Sequence, residues 1–458
     1  MPENDKTPAT TKHCHVVAMP YPGRGHINPM LNLCKLILSK SNDDFLFTFV
    51  VTEEWLGLLS SDPKPPANIR FASLPQVIPS EASRADDMAG FIEAVLAKLK
   101  NPFERLIDGL EPPPTAIVYD TWLSTWMVDV ANRRNIAVAS LFPMSASVFT
   151  VFYHFDLLLQ HAHFPLNVSE KGDEIVDYIP GLPTTTIKDL TTIFEGHGKK
   201  MILQLLDTFS ILKNATCLLF TSIYEFEEQV IDSIKENLPI PAYHIGPMIP
   251  YFESSDKPQS SNENYLQWLD SQPNGSVLYI SQGSFLSIST AQMDEIIAGI
   301  KESGVRFLWV TRGDTSRFKD GVSEMGCFVS WCDQLRVLCH PSVGGFWTHC
   351  GWNSTSESIY AGVPMLTCPI FWDQMPNSKL IVNDLKIGWR VIDNGCKKEK
   401  FVTREEIAKL VRNFMDFESD VRKEMVERAK GLKDIFRRAI ADGGSAASDI
   451  DAFIKYIS

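Results

Sequence analysis

No stretch of this sequence is apolar for long enough to span a bilayer. The nearest, Ile136 to Leu159, is broken by Pro143, His154 and Asp156 and reads as a buried strand followed by a helix. The N-terminus, MPENDKTPATTKHCH, lacks the apolar core of a secretory signal, and its Pro and Thr content predicts a disordered tail over residues 1–12. No run of Lys and Arg is present to track a phosphate backbone, and 43 basic against 56 acidic residues leave a formal charge of −13, which argues against a nucleic-acid partner. Nine cysteines occur without a single C-x-x-C pair, and an odd count in a leaderless chain predicts reduced thiols. These absences together predict a cytoplasmic protein with no membrane span.

What the chain does have is material for a large core. Of 458 residues 44% are hydrophobic and 22% charged, ordinary values for a globular protein, and the length predicts two units of similar size. The first half alternates short apolar strands (HVVAMP, FLFTFVVT, IRFASL, TAIVYD, AVASLF) with helical stretches such as NPMLNLCKLILSK and FIEAVLAKLKNPFERLIDGL. That rhythm belongs to βαβ units in a parallel sheet. It stops in GPMIPYFESSDKPQSSNENY, whose Pro, Ser and Asn mark a linker over 246–264, and then resumes. The expectation is an α/β fold in two parts, 1–245 and 265–436, facing each other across a cleft, with a helical segment 437–458 packing back toward the first. Ligands of such sheets bind beyond the carboxyl ends of the strands.

Three places carry candidate chemistry. In AMPYPGRGHINPM, Gly23 and Gly25 lie between a strand and a helix and His26 follows at the helix entrance; a dinucleotide fingerprint would need a third glycine where Asn28 stands, which weakens a nicotinamide reading. A helix N-terminus favours the neutral, basic form of an imidazole. Asp120 ends the strand TAIVYD and has two readings, a helix N-cap or a carboxylate that orients His26 and balances its charge. The third place is GGFWTHCGWNSTSE, Gly344 to Glu357. Adjacent His349 and Cys350 point different ways, unlike zinc ligands, and Cys350 reads as a small buried thiol before a nucleophile. A strand, Gly351 and a helix opened by WNSTSE suit an anion cradle. From Val337 to Gln374 there is no Lys or Arg, so His349, Asn353 and Ser354 must supply hydrogen bonds to a phosphate. Glu357, one turn into the helix, suits a ribose diol.

The run WCDQLRVLCHPSVGGFWTHCGWNSTSESIYAGVPMLTCPIFWDQ, Trp331 to Gln374, closely resembles the signature of plant family 1 UDP-sugar-dependent glycosyltransferases. PGRGHINP and VYD match the family as well, so the resemblance spans essentially the whole chain. It implies a GT-B fold of two Rossmann-like domains, the first binding the acceptor and the second the UDP-sugar, acting as a monomer by metal-independent inverting transfer with no cofactor beyond UDP-glucose as co-substrate. Carried over, Trp331 stacks on uracil, the Cys332 backbone reads its edge, and Gln334 and Glu357 address the ribose. Ser284, His349, Asn353 and Ser354 bind the diphosphate, while Trp352, Asp373 and Gln374 face the sugar. His26 is the base and Asp120 its partner.

The sequence departs from the family in two places. WCDQ stands where members commonly read WAPQ or WVPQ, leaving Asp333 without a role, and Phe142-Pro143 replaces a Trp-Thr pair whose hydroxyl contacts the donor sugar. Gln374 resembles glucose-using members. The acceptor pocket is expected to draw on Gly25, Phe142, Met144, Phe149 and the loop around 180–200, whose apolar and aromatic character suits a phenolic or flavonoid, terpenoid or steroid-like acceptor. Rival readings are a member using UDP-xylose or UDP-galactose, and a catalytically idle binding protein, which the presence of both His26 and Asp120 disfavours.

Overall fold

The computed structural model describes residues 14–41, 44–60, 62, 64–84, 86–194, 199–252, 264–283, 289–311, 325–391 and 401–458. Its strands are β1 (Cys14–Met19), β2 (Phe45–Thr52), β3 (Ile69–Leu74), β4 (Ala116–Asp120), β5 (Ala137–Phe142), a short pair β6 (Ile175–Val176) and β7 (Thr185–Thr186), β8 (Cys217–Phe220), β9 (Ala242–His244), β10 (Val277–Ser281), β11 (Arg306–Val310), β12 (Gly326–Val329), β13 (Val343–Thr348), β14 (Met365–Thr367) and β15 (Gly388–Arg390). Two parallel sheets result, ordered β3-β2-β1-β4-β5-β8-β9 and β12-β11-β10-β13-β14-β15. Both are Rossmann-like, and together they make the GT-B fold. Each is covered on both faces, which is why its strands are near-continuous runs of Val, Ile, Leu and Phe; in β4 every residue is buried.

The order of each sheet reverses beside its first strand, β1 between β2 and β4, and β10 between β11 and β13. That switch point is where an open α/β sheet leaves a crevice beyond its strand ends. His26 and Asp120 follow β1 and end β4, and His349 follows β13, so the candidate residues of both halves stand at the two crevices.

Several helices begin or end where the sequence did not place them. The first runs Arg24–Lys40 and takes Gly25 and His26 into its opening turn, with Pro29 inside it. The stretch 91–110 is two helices, Met88–Lys98 and Lys100–Asp108, parted at Leu99. The long helix Asp420–Ile440 continues unbroken through residue 437, so the turn into the last helix, Ser445–Ile457, falls at 441–444. That last helix lies on the first sheet: Ile450, Phe453 and Ile457 join its core, and Asp449 accepts the His244 backbone N–H at 2.7 Å. Most of the linker region, 253–263, lies outside the described residues. Among the described residues seven cysteines are free thiols, but Cys368 is disulfide-bonded, which corrects the expectation of reduced thiols throughout. Among the described residues no helix is long and apolar enough to cross a membrane.

Candidate functional site

The turn that carries His26 follows from three residues of PGRGHINP. Gly23 caps the first helix at φ 155°, and a Cβ there would stand 2.8 Å from the Arg84 guanidinium, so the turn needs a glycine. Pro29 has no N–H and cannot close the bond to the carbonyl four residues back, Gly25. That carbonyl instead accepts from Asn353 Nδ2 at 3.1 Å, tying the turn that carries His26 to the second half of the molecule. Gly25 therefore acts through its backbone.

His26 Nδ1 lies 2.8 Å from Asp120 Oδ2, with the histidine side chain 15% exposed and the aspartate fully buried. The other carboxylate oxygen, Oδ1, accepts the Trp122 N–H at 3.1 Å and caps the short helix Thr121–Leu123. The two oxygens divide, Oδ1 capping the short helix and Oδ2 meeting the His26 ring. With Nδ1 engaged, Nε2 is the ring atom left to meet a substrate proton.

His26 opens onto a cavity lined from both halves of the molecule, the place where open α/β sheets bind their ligands. Tyr21, Arg84, Met88, Ile92, Trp122, Met144 and Leu205 line it from the first half and Phe371, Trp372, Asp373 and Gln374 from the second. Met144 is where the sequence placed it. Phe142 and Phe149 are not: both are fully buried and pack edge-on to each other at 5.3 Å inside an aromatic core with Phe209 and Phe220. Part of the 180–200 loop, residues 195–198, lies outside the described residues.

The donor side is built on β13 and the helix after it. Gly351 caps that helix without a side-chain bond, leaving first-turn N–H groups open to an anion. His349 is held between Gly283 (φ 75°) and Gly351, where added Cβ atoms would each come within 2.6 Å of its ring. Burial pushes its pKa down to about 4, with the Ser281 backbone pulling weakly the other way; Nδ1 is buried and makes no hydrogen bond of ordinary geometry. The ring is therefore neutral at pH 7, a hydrogen-bonding group and not a cation. Cys350 is fully buried and burial pushes its thiol up, which removes it as a nucleophile. Ser284 lies outside the described residues.

Gln334 organises the cluster around Glu357. Its Nε2 donates to Glu357 Oε2 and, at 2.9 Å, to Ser354 Oγ, while its Oε1 accepts from Tyr279 OH at 3.1 Å. Burial raises the Glu357 pKa to about 7, against the lowering pull of Gln334. Trp331 is 63% exposed, an open ring face, and Cys332 is buried beneath it in sequence with its thiol 3.4 Å from Tyr279 OH. Asp333, unexplained by sequence, caps the helix Gln334–Leu338 by accepting the Arg336 N–H at 3.1 Å.

Asp373 and Gln374 line the cavity. Burial raises the Asp373 pKa to about 6, with Asn377, which donates to it at 2.9 Å, pulling it down. Gln374 Oε1 is committed to the N–H groups of Ile370 and Phe371, at 2.7 and 3.2 Å, so only its NH₂ is available and it can act toward a sugar solely as a donor. Trp352 differs from expectation. Its indole is buried, does not line the cavity, and donates to Thr221 Oγ1 at 3.1 Å across the cleft.

The likeness of this arrangement to known proteins is extensive. Residues 252–391 match the family described as UDP-glucoronosyl and UDP-glucosyl transferase. UDP-glycosyltransferase 87A2 of Arabidopsis thaliana is 52% identical over 445 residues, covering 97% of both chains. The chain belongs to the plant family 1 UDP-glycosyltransferases. This glycosyltransferase also shares 51% identity with UDP-glycosyltransferase 87A1 of the same plant over 96% of its own length and 99% of that relative's. Among solved structures it superposes on Phytolacca americana UGT2 complexed with UDP-2fluoro-glucose and pterostilbene (TM-score 0.81, 26% identity, covering 97% of this chain and 99% of that one). It also superposes on a Polygonum tinctorium UDP-glucosyltransferase capable of glucosylating indoxyl (TM-score 0.80, 28% identity, with the same coverage).

Sequence reasoning missed most of the cavity wall of this glycosyltransferase. Tyr21 and Trp122 stood in plain view, two residues before Gly23 and two after Asp120, and Trp372 stood beside Asp373. Met88, Ile92 and Leu205 carried no signal, because an apolar residue facing a cavity and one facing a core look alike in sequence.

Proposed function

We propose that this chain is an inverting O-glycosyltransferase that moves glucose from UDP-glucose to a hydroxyl of a small hydrophobic molecule, in the cytoplasm and as a monomer. The observation that carries the reading is the His26–Asp120 pair at 2.8 Å on the wall of a cavity that also presents Asp373 and Gln374. An acceptor hydroxyl is a weak nucleophile. His26 Nε2 takes its proton as the oxygen attacks the anomeric carbon, and Asp120 balances the imidazolium. Attack from the face opposite UDP turns an α-linked donor into a β-glycoside.

In this reading the first domain (1–245) holds the acceptor and the second (265–436) the donor. Trp331 stacks on the uracil and Glu357 takes the ribose hydroxyls. The diphosphate is met by the open N–H groups at the helix start, by neutral His349, and by Asn353, Ser354 and Ser284. One N–H of Asn353 Nδ2 is given to the Gly25 carbonyl, so its second N–H and its backbone N–H are the donors left for a phosphate oxygen. The charge of the departing UDP is stabilised by preoriented dipoles, so the reaction requires no metal. A mass-spectrometric screen of UDP-sugars against an aglycone panel tests the reading: UDP-glucose should give the largest product yield, unchanged by EDTA. Loss of turnover on EDTA that Mg²⁺ restores would contradict the metal-independent step, and product from another UDP-sugar alone would overturn the donor assignment.

The Glu357 pKa gives a pH prediction. The ionised carboxylate is the form that accepts two ribose hydroxyls, and its pKa in the empty site is about 7. Below that pH a bound proton must be released for full pairing, so affinity should rise as pH passes upward through about 7. Uridine is the right ligand, since it carries no phosphate to titrate in this range. By calorimetry, uridine should bind more tightly at pH 8 than at pH 6, and Glu357→Ala should flatten the profile and weaken binding by about 1 to 3 kcal/mol. A pH-independent affinity in the unaltered protein would refute the ribose role.

A further inference from the structure

Trp372 holds a backbone conformation that a tryptophan rarely adopts, at φ 61°. A bulky residue in the left-handed region is strained, and glycine would sit there without cost. The strain is maintained from across the cleft. The Trp372 N–H donates to Thr192 Oγ1 at 2.7 Å, and its carbonyl accepts the Thr192 N–H at 3.4 Å. Nearby, Arg390 donates to Asp189 at 2.7 Å with both side chains largely buried, anchoring the same segment of the first half to the second.

The consequence is a fixed indole on the cavity wall, edge-on to Trp122 with centroids 5.9 Å apart and planes at 79°. Its Nε1–H is buried and turned away from the open space, so the indole meets the cavity with its carbon ring. Asp373 and Gln374 line the same cavity, so in the glycosyl-transfer reading it houses the transferred sugar as well as the acceptor, and the Trp372 ring bounds the space left for the latter.

We propose that Trp372 is the specificity-determining residue for the acceptor, narrowing the cavity to a flat aromatic hydroxyl compound. The proposal rests on the glycosyl-transfer reading above. Two indoles in an edge-to-face pair present ring faces and edges that favour another aromatic ring over a thick alicyclic skeleton. Thr192 is a positioning residue: it touches no substrate and acts by holding the Trp372 backbone.

The test uses the full chain with UDP-glucose and three acceptors: a hydroxybenzoic ester, a flavonol and a steroid alcohol. The unaltered protein should prefer the planar phenols. Trp372→Gly, which relieves the strain and opens the wall, should lower kcat/KM for the small phenol by roughly tenfold, mainly through KM, and raise it for the steroid by a similar factor. UDP affinity by calorimetry should stay within about twofold, showing that the donor site remains folded. Thr192→Ala should raise the KM for the small phenol in the same direction and by less. An unchanged acceptor order in Trp372→Gly, or a preference of the unaltered protein for the steroid, would overturn the proposal. If Trp372→Gly fails to bind UDP, Thr192→Ala decides, and an unchanged phenol KM overturns it. Absence of transfer by the unaltered protein to every acceptor is a different result, which sinks the glycosyl-transfer reading itself.

Discussion

His26→Ala is expected to lower turnover roughly 10²- to 10⁴-fold, the usual range for a positioned general base, while leaving UDP affinity unchanged. The reason is spatial as well as chemical. His26 stands on the first sheet's crevice with its Nδ1 held by Asp120, whereas the nucleotide cradle is built from β13, Gly351 and the helix Trp352–Ala361 of the second sheet. Removing the imidazole leaves an acceptor hydroxyl with nothing to take its proton during attack. Steady-state rates with a phenolic acceptor, paired with UDP calorimetry, check both halves of the expectation. A variant that turns over near the wild-type rate would remove the base from the mechanism.

Asp120→Asn should cost nearly as much, again on the order of 10²- to 10⁴-fold in turnover, and should do so without unfolding the protein. The two oxygens of Asp120 have separate tasks. Asn retains an oxygen that can accept the Trp122 N–H as Oδ1 does now, so the cap survives. Toward His26, however, Asn would present an N–H₂ where a carboxylate oxygen accepted, which favours the tautomer whose proton sits on Nε2. That proton occupies the lone pair the reaction needs, and the charge that balanced the imidazolium is gone. Asp120→Ala adds loss of the cap, worth about 1 kcal/mol. Thermal melts should therefore separate the two variants while their rates do not; an Asn variant with wild-type turnover would leave Asp120 with the cap alone.

The parallel-sheet fold was legible in the sequence because strands buried on both faces must be apolar throughout and must alternate with helices. The donor cradle was legible for a related reason: glycine, a helix start and a lack of cations constrain one another over a short span. The pairing of His26 with Asp120 was one of two readings of the aspartate and was implied by the family resemblance, since nothing local in either residue reports a partner 94 residues away in sequence. Other features required coordinates. Phe142 and Phe149 looked like pocket aromatics and proved to be core, because composition does not say on which side of a wall a ring lies. Trp352 looked like a sugar contact and is a buried tie to Thr221. Asp333 looked anomalous until the five-residue helix it caps was visible. The Pro29, Gly25 and Asn353 arrangement combines a missing N–H in one half with an amide from the other, and only their meeting in space gives either a role.

These assignments converge on one stereochemical outcome. In the proposed reading, attack on the anomeric carbon from the His26 side, with UDP held on the other by the cradle, would invert the centre. The most direct measurement is the anomeric configuration, by proton NMR, of the glycoside formed from UDP-glucose and a simple phenol. The account predicts a β-glucoside; an α-glucoside, or free glucose with no glycoside formed, would contradict it.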